Sequence, residues 1–265
     1  MAFARLDDIV VHHEEAESAE SPAIVFANSL GTDLRVWDSF LPHLPKRFRL
    51  VRYDMRGHGL TDETPGPYTV PGLAADLARL LDRLGIEGAL LCGLSIGGMV
   101  AQELAVARPD LVCGLVLMDT AHRIGTAESW QQRIDALTRG GIASIADAIL
   151  ERWFAPSFHA RRADELAGYR NMLTRTPAGG YAACCAAVRD ADLTARASLI
   201  RQPCLCVAGE ADGATPPDLV RELARLIPGA SFELIADAGH LPCVEQPEAT
   251  ARAVRAFIEE NAFAG

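Results

Sequence analysis

The chain has 265 residues, 49% hydrophobic and 23% charged, with a formal net charge of −10. That is enough chain for one large α/β domain with an insertion, and no internal repeat or low-complexity tract points to a solenoid or a disordered tail. The acidic balance excludes nucleic acid and an anionic membrane surface as partners, and no segment approaches the length of apolar run that a membrane helix needs.

Residues 1–20 carry six acidic side chains and no apolar stretch suited to a signal peptide, so a cytoplasmic protein is expected. His12 and His13 fall in a hairpin-like segment and are expected to be solvated, as is His43 on a surface helix. Ala23 to Ala27 is a buried strand followed by the turn Asn28 to Thr32, and Phe48 to Tyr53 is the next strand. The loop after it, DMRGHG over 54–59, reads as structural, with Asp54 and Arg56 tying down backbone and His58 in a supporting place. Leu73, Leu77, Leu80, Leu81 and Leu84 recur at helical spacing and mark the buried face of a helix ended by Gly85.

Gly93-Leu94-Ser95-Ile96-Gly97 comes next, preceded by the apolar run Ala89 to Cys92 and followed by a helix-forming stretch to Ala107. A serine between glycines two residues away, on a strand-to-helix turn, has the signature of a nucleophile elbow. Larger residues at those flanks would strike neighbouring backbone, and the turn aims the Ile96 amide at any oxyanion formed on attack. Leu115 to Met118 is a further strand. From 121 to 198 the pattern changes to helix after helix containing Trp130, Trp153, Tyr169 and Tyr181, which predicts a helical lid inserted between 1–120 and 199–265. Strands Cys204 to Ala208 and Phe232 to Ile235 and a helix from Pro247 to about Asn261 complete an alternating α/β order with a mostly parallel sheet.

A serine hydroxyl needs a general base, and the base needs a third group to hold its tautomer. Of the seven histidines, His240 stands on a short loop after the last strand and is the expected base; His122 and His159 lie in the helical segment, where they would meet substrate if anything. Asp212, after the strand ending at Ala208, is the expected acid, with Glu210 and Asp237 as neighbouring competitors and Asp119 as an alternative location. Ser95, Asp212 and His240 follow the chain order that accompanies such an elbow. The second oxyanion donor is expected from the Asn28 to Thr32 turn, at the Leu30 amide. The seven cysteines fall mostly within apolar segments, which suits reduced buried thiols. Neither Cys204/Cys206 nor Cys184/Cys185 has a second ligand pair at metal spacing, so no metal and no cofactor are expected.

With these residues in place the chain resembles the α/β-hydrolases, and more narrowly the 3-oxoadipate enol-lactone hydrolases of bacterial aromatic catabolism. The resemblance rests on the blocks NSLGTDLRVWD (28–38), YDMRGHGL (53–60), CGLSIGGMVAQ (92–102), DTAHRIGT (119–126) and RDAD (189–192), which span most of the chain. His122 departs from it, standing where a smaller residue is expected. The decarboxylase domain sometimes fused to such enzymes is missing, which implies a stand-alone hydrolase. The resemblance implies opening of a small anionic lactone through a Ser95 acyl-enzyme. It also requires a cation for the substrate carboxylate: Arg123 and Arg133 are the candidates, near Trp130, with Trp153 as a further substrate-binding residue. Oligomeric state stays open, with a homo-oligomer one option. The rival readings are a carbon–carbon bond or small-ester hydrolase on the same scaffold, and a non-catalytic small-molecule sensor.

Overall fold

In the computed structural model, which describes residues 1–16 and 22–263, the chain begins with an antiparallel hairpin, β1 (Ala2–Leu6) and β2 (Ile9–Ala16). Residues 17–21 and 264–265 of the expected core segments lie outside this description. The strands that follow are β3 (Ala23–Ala27), β4 (Arg49–Tyr53), β5 (Ala89–Leu94), β6 (Val112–Met118), β7 (Cys204–Gly209) and β8 (Ser231–Ile235). They form one eight-stranded sheet in the order β1-β2-β4-β3-β5-β6-β7-β8. Pairing is antiparallel as far as β2–β4 and parallel from β4 through β8. Every residue of β3, β5 and β7 is buried, as expected of parallel strands covered on both faces by crossover helices. After β3 the chain steps one way to β4 and then returns across to β5. This reversal opens a crevice at the carboxyl ends of β3 and β5, where sheets of this kind take their ligands.

Two helices pack beside these strands. In α1 (Val70–Leu84), Thr69 caps the N-terminus by accepting from the Gly72 amide at 3.1 Å, and Gly85 ends the helix with φ 63°. Its buried face is Leu73, Leu77, Leu80 and Leu81, each worth about 2 kcal/mol relative to exposure. Helix α2 (Ile96–Ala107) is buried from Ile96 to Ala105 because it runs through the core beneath the sheet's carboxyl edge. Beyond the sheet's last strands lie α9 (Pro217–Leu226), α10 (Pro242–Glu245) and α11 (Pro247–Glu260).

The chain between β6 and β7 is helical: α3 (Ala127–Gly140), α4 (Ala146–Trp153), α5 (Pro156–Arg161), α6 (Ala163–Thr174), α7 (Ala178–Asp190) and the short α8 (Thr194–Ala197). Its inner packing is aromatic, with Phe154 and Phe158 stacked at 4.2 Å and Tyr169 tilted against Phe154 at 5.4 Å. No helix among the described residues is long and apolar enough to cross a membrane.

The hairpin histidines differ from expectation. His12 and His13 are each 4% exposed, because β2 is an inner strand, paired with β1 on one edge and β4 on the other. His12 Nδ1 lies 2.7 Å from Asp54 Oδ2, so the carboxylate of the loop after β4 anchors the hairpin.

That loop is also pinned from the other side. Gly57 has φ +74°, and a Cβ there would stand 2.6 Å from the Gly180 Cα of α7. A Gly57→Ala variant is expected to lose about 2 kcal/mol or more, from left-handed strain and backbone overlap together. Urea denaturation at unchanged m reads this directly, and a loss below about 0.5 kcal/mol would show that the contact yields.

Candidate active site

Ser95 sits at the junction of β5 and α2 with φ 57° and ψ −120°. Such a conformation costs a non-glycine residue about 1–3 kcal/mol and persists only where its surroundings hold it. Here the Ser95 amide donates to Met118 O at 3.0 Å, and Thr120 Oγ1 donates to Ser95 O at 2.6 Å. The flanking glycines are required by close backbone approach: a Cβ on Gly93 would lie 2.5 Å from Gly97 O, and one on Gly97 would lie 2.1 Å from Ala27 O. Gly98 extends the requirement, since its Cβ would meet the Thr120 side chain at 2.5 Å. Ile96 opens α2, so its N–H has no partner within the helix and lies at the positive end of the helix dipole.

Across from it, the loop after β3 is held by its own polar side chains. Asn28 Nδ2 donates to Tyr53 O at 2.8 Å while Asn28 Oδ1 accepts from Trp37 Nε1 at 2.8 Å. Thr32 closes the turn with backbone and hydroxyl bonds to Ser29 O, at 3.1 and 2.8 Å. The Gly31 amide is engaged by His58, whereas the Leu30 amide meets no acceptor among the described residues.

His240 and Asp212 meet at the carboxyl ends of β8 and β7. His240 Nδ1 lies 2.9 Å from Asp212 Oδ2, with the imidazole 2% and the carboxylate 0% exposed. Asp212 also accepts from Thr215 Oγ1 at 2.5 Å and from the Ala214 and Thr215 amides at 2.7 and 3.1 Å. Burial alone would raise this carboxyl, but the imidazolium charge of His240 and the bonds from Thr215 and Ala214 outweigh it and bring it to about 2. Glu210 and Asp237 are exposed and turn toward each other instead, the Asp237 amide donating to Glu210 Oε2 at 3.3 Å. Asp119 lies close by: its ligating atom is within 4.8 Å of those of Asp212 and His240. Its Oδ1 accepts from the Gly209 amide at 2.8 Å while Oδ2 is buried without a partner. Burial, then the Asp212 charge, push the Asp119 carboxyl well above its ordinary range, opposite in direction to Asp212. The three ligating atoms are close enough for a cation, but Asp212 already accepts four hydrogen bonds at its two oxygens.

Ser95 and His240 open into one cavity of about 100 Å³, shared with Ser29, Leu30, Trp130, Arg133, Arg152 and Trp153. Arg133 lies over the Trp130 ring at 4.6 Å, and Trp130 Nε1 donates to Ile124 O at 2.6 Å. Arg152 is exposed overall yet lines the cavity, and donates from Nε to Gly213 O at 2.9 Å; partial burial and the neighbouring Arg133 pull it below its ordinary range. Several arginines elsewhere pair with carboxylates, as Arg56 does with Asp8 and Asp76 and Arg108 with Asp82 and Asp110, while others, such as Arg201 and Arg255, bond backbone carbonyls instead. Neither cavity arginine has a carboxylate partner among the described residues. Arg123 is placed differently: it is exposed, outside the cavity lining, and faces Glu128 and Asp192. The sequence passes over Arg152, because it sits one residue before Trp153 at the end of a helix whose orientation no local pattern reveals. His122 and His159 do not line the cavity; His122 Nε2 faces Glu222 Oε1 at 3.9 Å and His159 packs edge-on against Phe154 at 6.4 Å.

One buried acid supports the base loop from beneath. Glu245 accepts from the Gly239 amide at Oε1 and from the Ala155 amide at Oε2, both at 2.8 Å, while the His240 amide donates to Trp153 O at 2.7 Å. Burial raises the Glu245 carboxyl to about 7 against an ordinary value of 4.5. A raised folded-state value for an acid means that its contribution to stability is complete below the unfolded value and is lost as pH rises toward the folded one. Measured against Glu245→Gln, the wild-type protein is therefore expected to lose up to about 3 kcal/mol between pH 4.5 and 7. Chemical denaturation of both proteins across that window tests it, and a constant difference would remove the assigned titration.

Comparison with known proteins agrees with this architecture. The family model described as "alpha/beta hydrolase fold" matches residues 22–247. A 3-oxoadipate enol-lactonase of Acinetobacter baylyi is 33% identical over 95% of this chain and 94% of its own length. The crystal structure of the enol-lactonase from Burkholderia xenovorans LB400 superposes with a TM-score of 0.94 at 37% identity, covering 97% of this chain and all of that one (100%). A malate-bound thermophilic esterase from Thermogutta terrifontis gives a TM-score of 0.89 at 30% identity over 96% of this chain and 94% of that one. With its sheet order, its strained serine turn and a family match across most of its length, the chain belongs to the α/β-hydrolase family.

Proposed function

We propose that the chain is a serine hydrolase that opens the enol-lactone of 3-oxoadipate to 3-oxoadipate. The observation that carries this choice of substrate is the pair of guanidinium groups, Arg133 and Arg152, without carboxylate partners among the described residues and in the same small cavity as Ser95. A cavity of about 100 Å³ suits a small ring rather than a long acyl chain. Two cations in an otherwise acidic chain suit a substrate with a free carboxylate. The similarity to enol-lactonases from two organisms supports the same reading.

In this reading Ser95 Oγ attacks the ring carbonyl and His240 Nε2 takes its proton, while Asp212 holds the Nδ1–H tautomer and stabilises the imidazolium. The oxyanion rests on the Leu30 and Ile96 amides. Collapse breaks the ring acyl–oxygen bond and expels an enolate, which stays tethered within the acyl-enzyme. The proton held on His240 Nε2 passes to solvent or to the enolate, which is protonated at carbon to give the ketone, and His240 is left neutral for the next step. An enolate leaves far more readily than an amine, so His240 need give little acid assistance in this step. Water activated by His240 then releases the product. The helices from α3 to α8 act as the lid: Trp130, Arg133, Arg152 and Trp153 all reach the cavity from that segment and close it over the carboxyl ends of the strands.

A second reading, hydrolysis of small esters in general, is favoured by the likeness to the Thermogutta esterase. Purified protein given the enol-lactone is expected to remove its ultraviolet absorbance far faster than it cleaves a neutral aryl ester; the reverse preference would select the second reading. Ser95→Ala is expected to lower turnover of both substrates by about a thousand-fold or more. Replacing Arg133 or Arg152 with alanine is expected to raise KM for the lactone about 10- to 100-fold, the worth of one charge-assisted hydrogen bond, with neutral esters within about two-fold. Equal losses on both substrates would remove the proposed role of the arginines.

A further inference from the structure

We infer that His58 is a positioning residue for the oxyanion site: its unprotonated Nε2 holds the Gly31 amide and so leaves the Leu30 amide as the donor that faces the cavity. The inference rests on the serine-hydrolase reading above and adds to it a residue outside the reacting groups.

The geometry begins with the loop after β3. Its two central amides have different fates. Gly31 N–H donates to His58 Nε2 at 2.9 Å, whereas Leu30 N–H meets no acceptor among the described residues, and Leu30 lines the cavity with Ser95. Gly31 is at φ +79°, and a Cβ there would stand 2.5 Å from a Leu173 methyl and 3.0 Å from the Tyr181 ring. At Gly31 the loop is thus pressed from the insertion side and tied on the other by one imidazole. Releasing that bond would leave the Gly31 amide buried without an acceptor, so the Leu30–Gly31 peptide would turn to find one and pull on the adjoining Ser29–Leu30 peptide, which carries the Leu30 N–H and is otherwise held only through the Thr32 bonds to Ser29 O.

The partners of the ring settle its tautomer. His58 Nδ1 lies 3.3 Å from Arg56 O, which can only accept, so Nδ1 carries the proton; Nε2 faces an N–H, which can only donate, so Nε2 carries the lone pair. Doubly protonated imidazole would set one N–H against another. The ring is 1% exposed, and burial brings it down to about 4, in keeping with a neutral group at working pH. His58 does not line the cavity, so any influence on the reaction passes through Gly31.

The loop that carries His58 is itself rigid. The His58 amide donates to Met55 O at 2.9 Å, His58 O accepts from the Thr61 amide at 3.0 Å, and the Gly57 amide donates to Asp62 O at 3.0 Å. Asp54, four residues earlier, accepts from the Leu34 amide at 2.8 Å, which fixes the far end of the oxyanion loop to the same turn. Its other oxygen takes the Leu60 amide at 2.8 Å and His12 Nδ1 at 2.7 Å. The oxyanion loop is therefore gripped at Gly31 and at Leu34 by one turn, and His58 supplies the grip nearer the serine.

Two variants separate positioning from bulk stability. Leucine at this site removes the acceptor, whereas glutamine keeps an oxygen able to reach the Gly31 amide. His58→Leu is expected to lower kcat on an aryl ester about 10- to 100-fold with KM within about three-fold, less than the roughly 100- to 1,000-fold for outright loss of an oxyanion donor because the Leu30 amide is displaced rather than removed. Its affinity for an alkylboronic acid, which forms a tetrahedral adduct on the serine, should fall by the same factor; His58→Gln should restore both to within about five-fold of wild type. Unchanged boronate affinity in His58→Leu would overturn the inference and leave the serine-hydrolase reading standing. Failure of the wild-type protein to bind the boronate would overturn both. A further measurement needs no variant: nitrogen-15 NMR of the wild-type protein at pH 7 should show His58 protonated at Nδ1 alone. A proton on Nε2 would sink the inference whether or not the leucine variant folds.

Discussion

The site depends on how closely backbone passes backbone at the carboxyl edge of the sheet. Gly97 lets the start of α2 lie against Ala27 O, Gly209 lets the end of β7 lie against Gly239 O, where a Cβ would come within 1.9 Å, and Gly239 lies against Trp153 O, where it would come within 2.4 Å. Each contact brings together two segments of the candidate site: the Asn28 to Thr32 turn and the Ser95 turn, the Asp212 loop and the His240 loop, the His240 loop and the helical insertion. A methyl group at any of them would separate the pair by an ångström or more, and displacements of that size in an active site can cost a hundred-fold in rate. The strained Ser95 turn survives because these contacts, with the Thr120 and Met118 bonds, leave it no relaxed alternative.

Charge is distributed on that frame with little redundancy. Two carboxyls lie beside the His240 imidazole: Asp212, with donors at both oxygens, is held low, whereas Asp119, with one backbone donor, is pushed up by burial and by its neighbour's charge. Environment rather than residue type assigns the two roles. The arginines of the cavity show the converse. In a chain with ten more acidic than basic residues, two guanidinium groups without carboxylate partners among the described residues sit where an anionic substrate would complete the charge balance. His58, Glu245 and Thr120 lie behind the candidate site, each bonded to its backbone, at Gly31, Gly239 and Ser95.

Much of the fold was legible in the sequence because parallel strands buried on both faces read as uninterrupted apolar runs. The expected strands at Ala23 to Ala27 and Cys204 to Ala208 match β3 and β7 to within one residue, and α1 ends at Gly85 as its leucine spacing requires. Legibility failed where burial comes from pairing. His12 and His13 look solvated because their segment is polar, but β2 lies inside the sheet and Asp54 supplies the partner that makes an inner histidine tolerable. It failed again in the insertion, where Arg123 is near Trp130 in sequence yet faces outward, while Arg152, on another helix, reaches the cavity.

The sequence by itself determined the elements, their order and the chain positions of a serine elbow, an acid and a histidine. Those properties are local: periodicity, turn chemistry and strand-end position act over a few residues. Only the tertiary structure decided between Asp212 and its neighbours Glu210, Asp237 and Asp119 as the partner of His240, and which arginines enter the cavity. Each of these is a distance between side chains on different elements, set by how helices pack over a sheet edge, and no pattern along a single element encodes it.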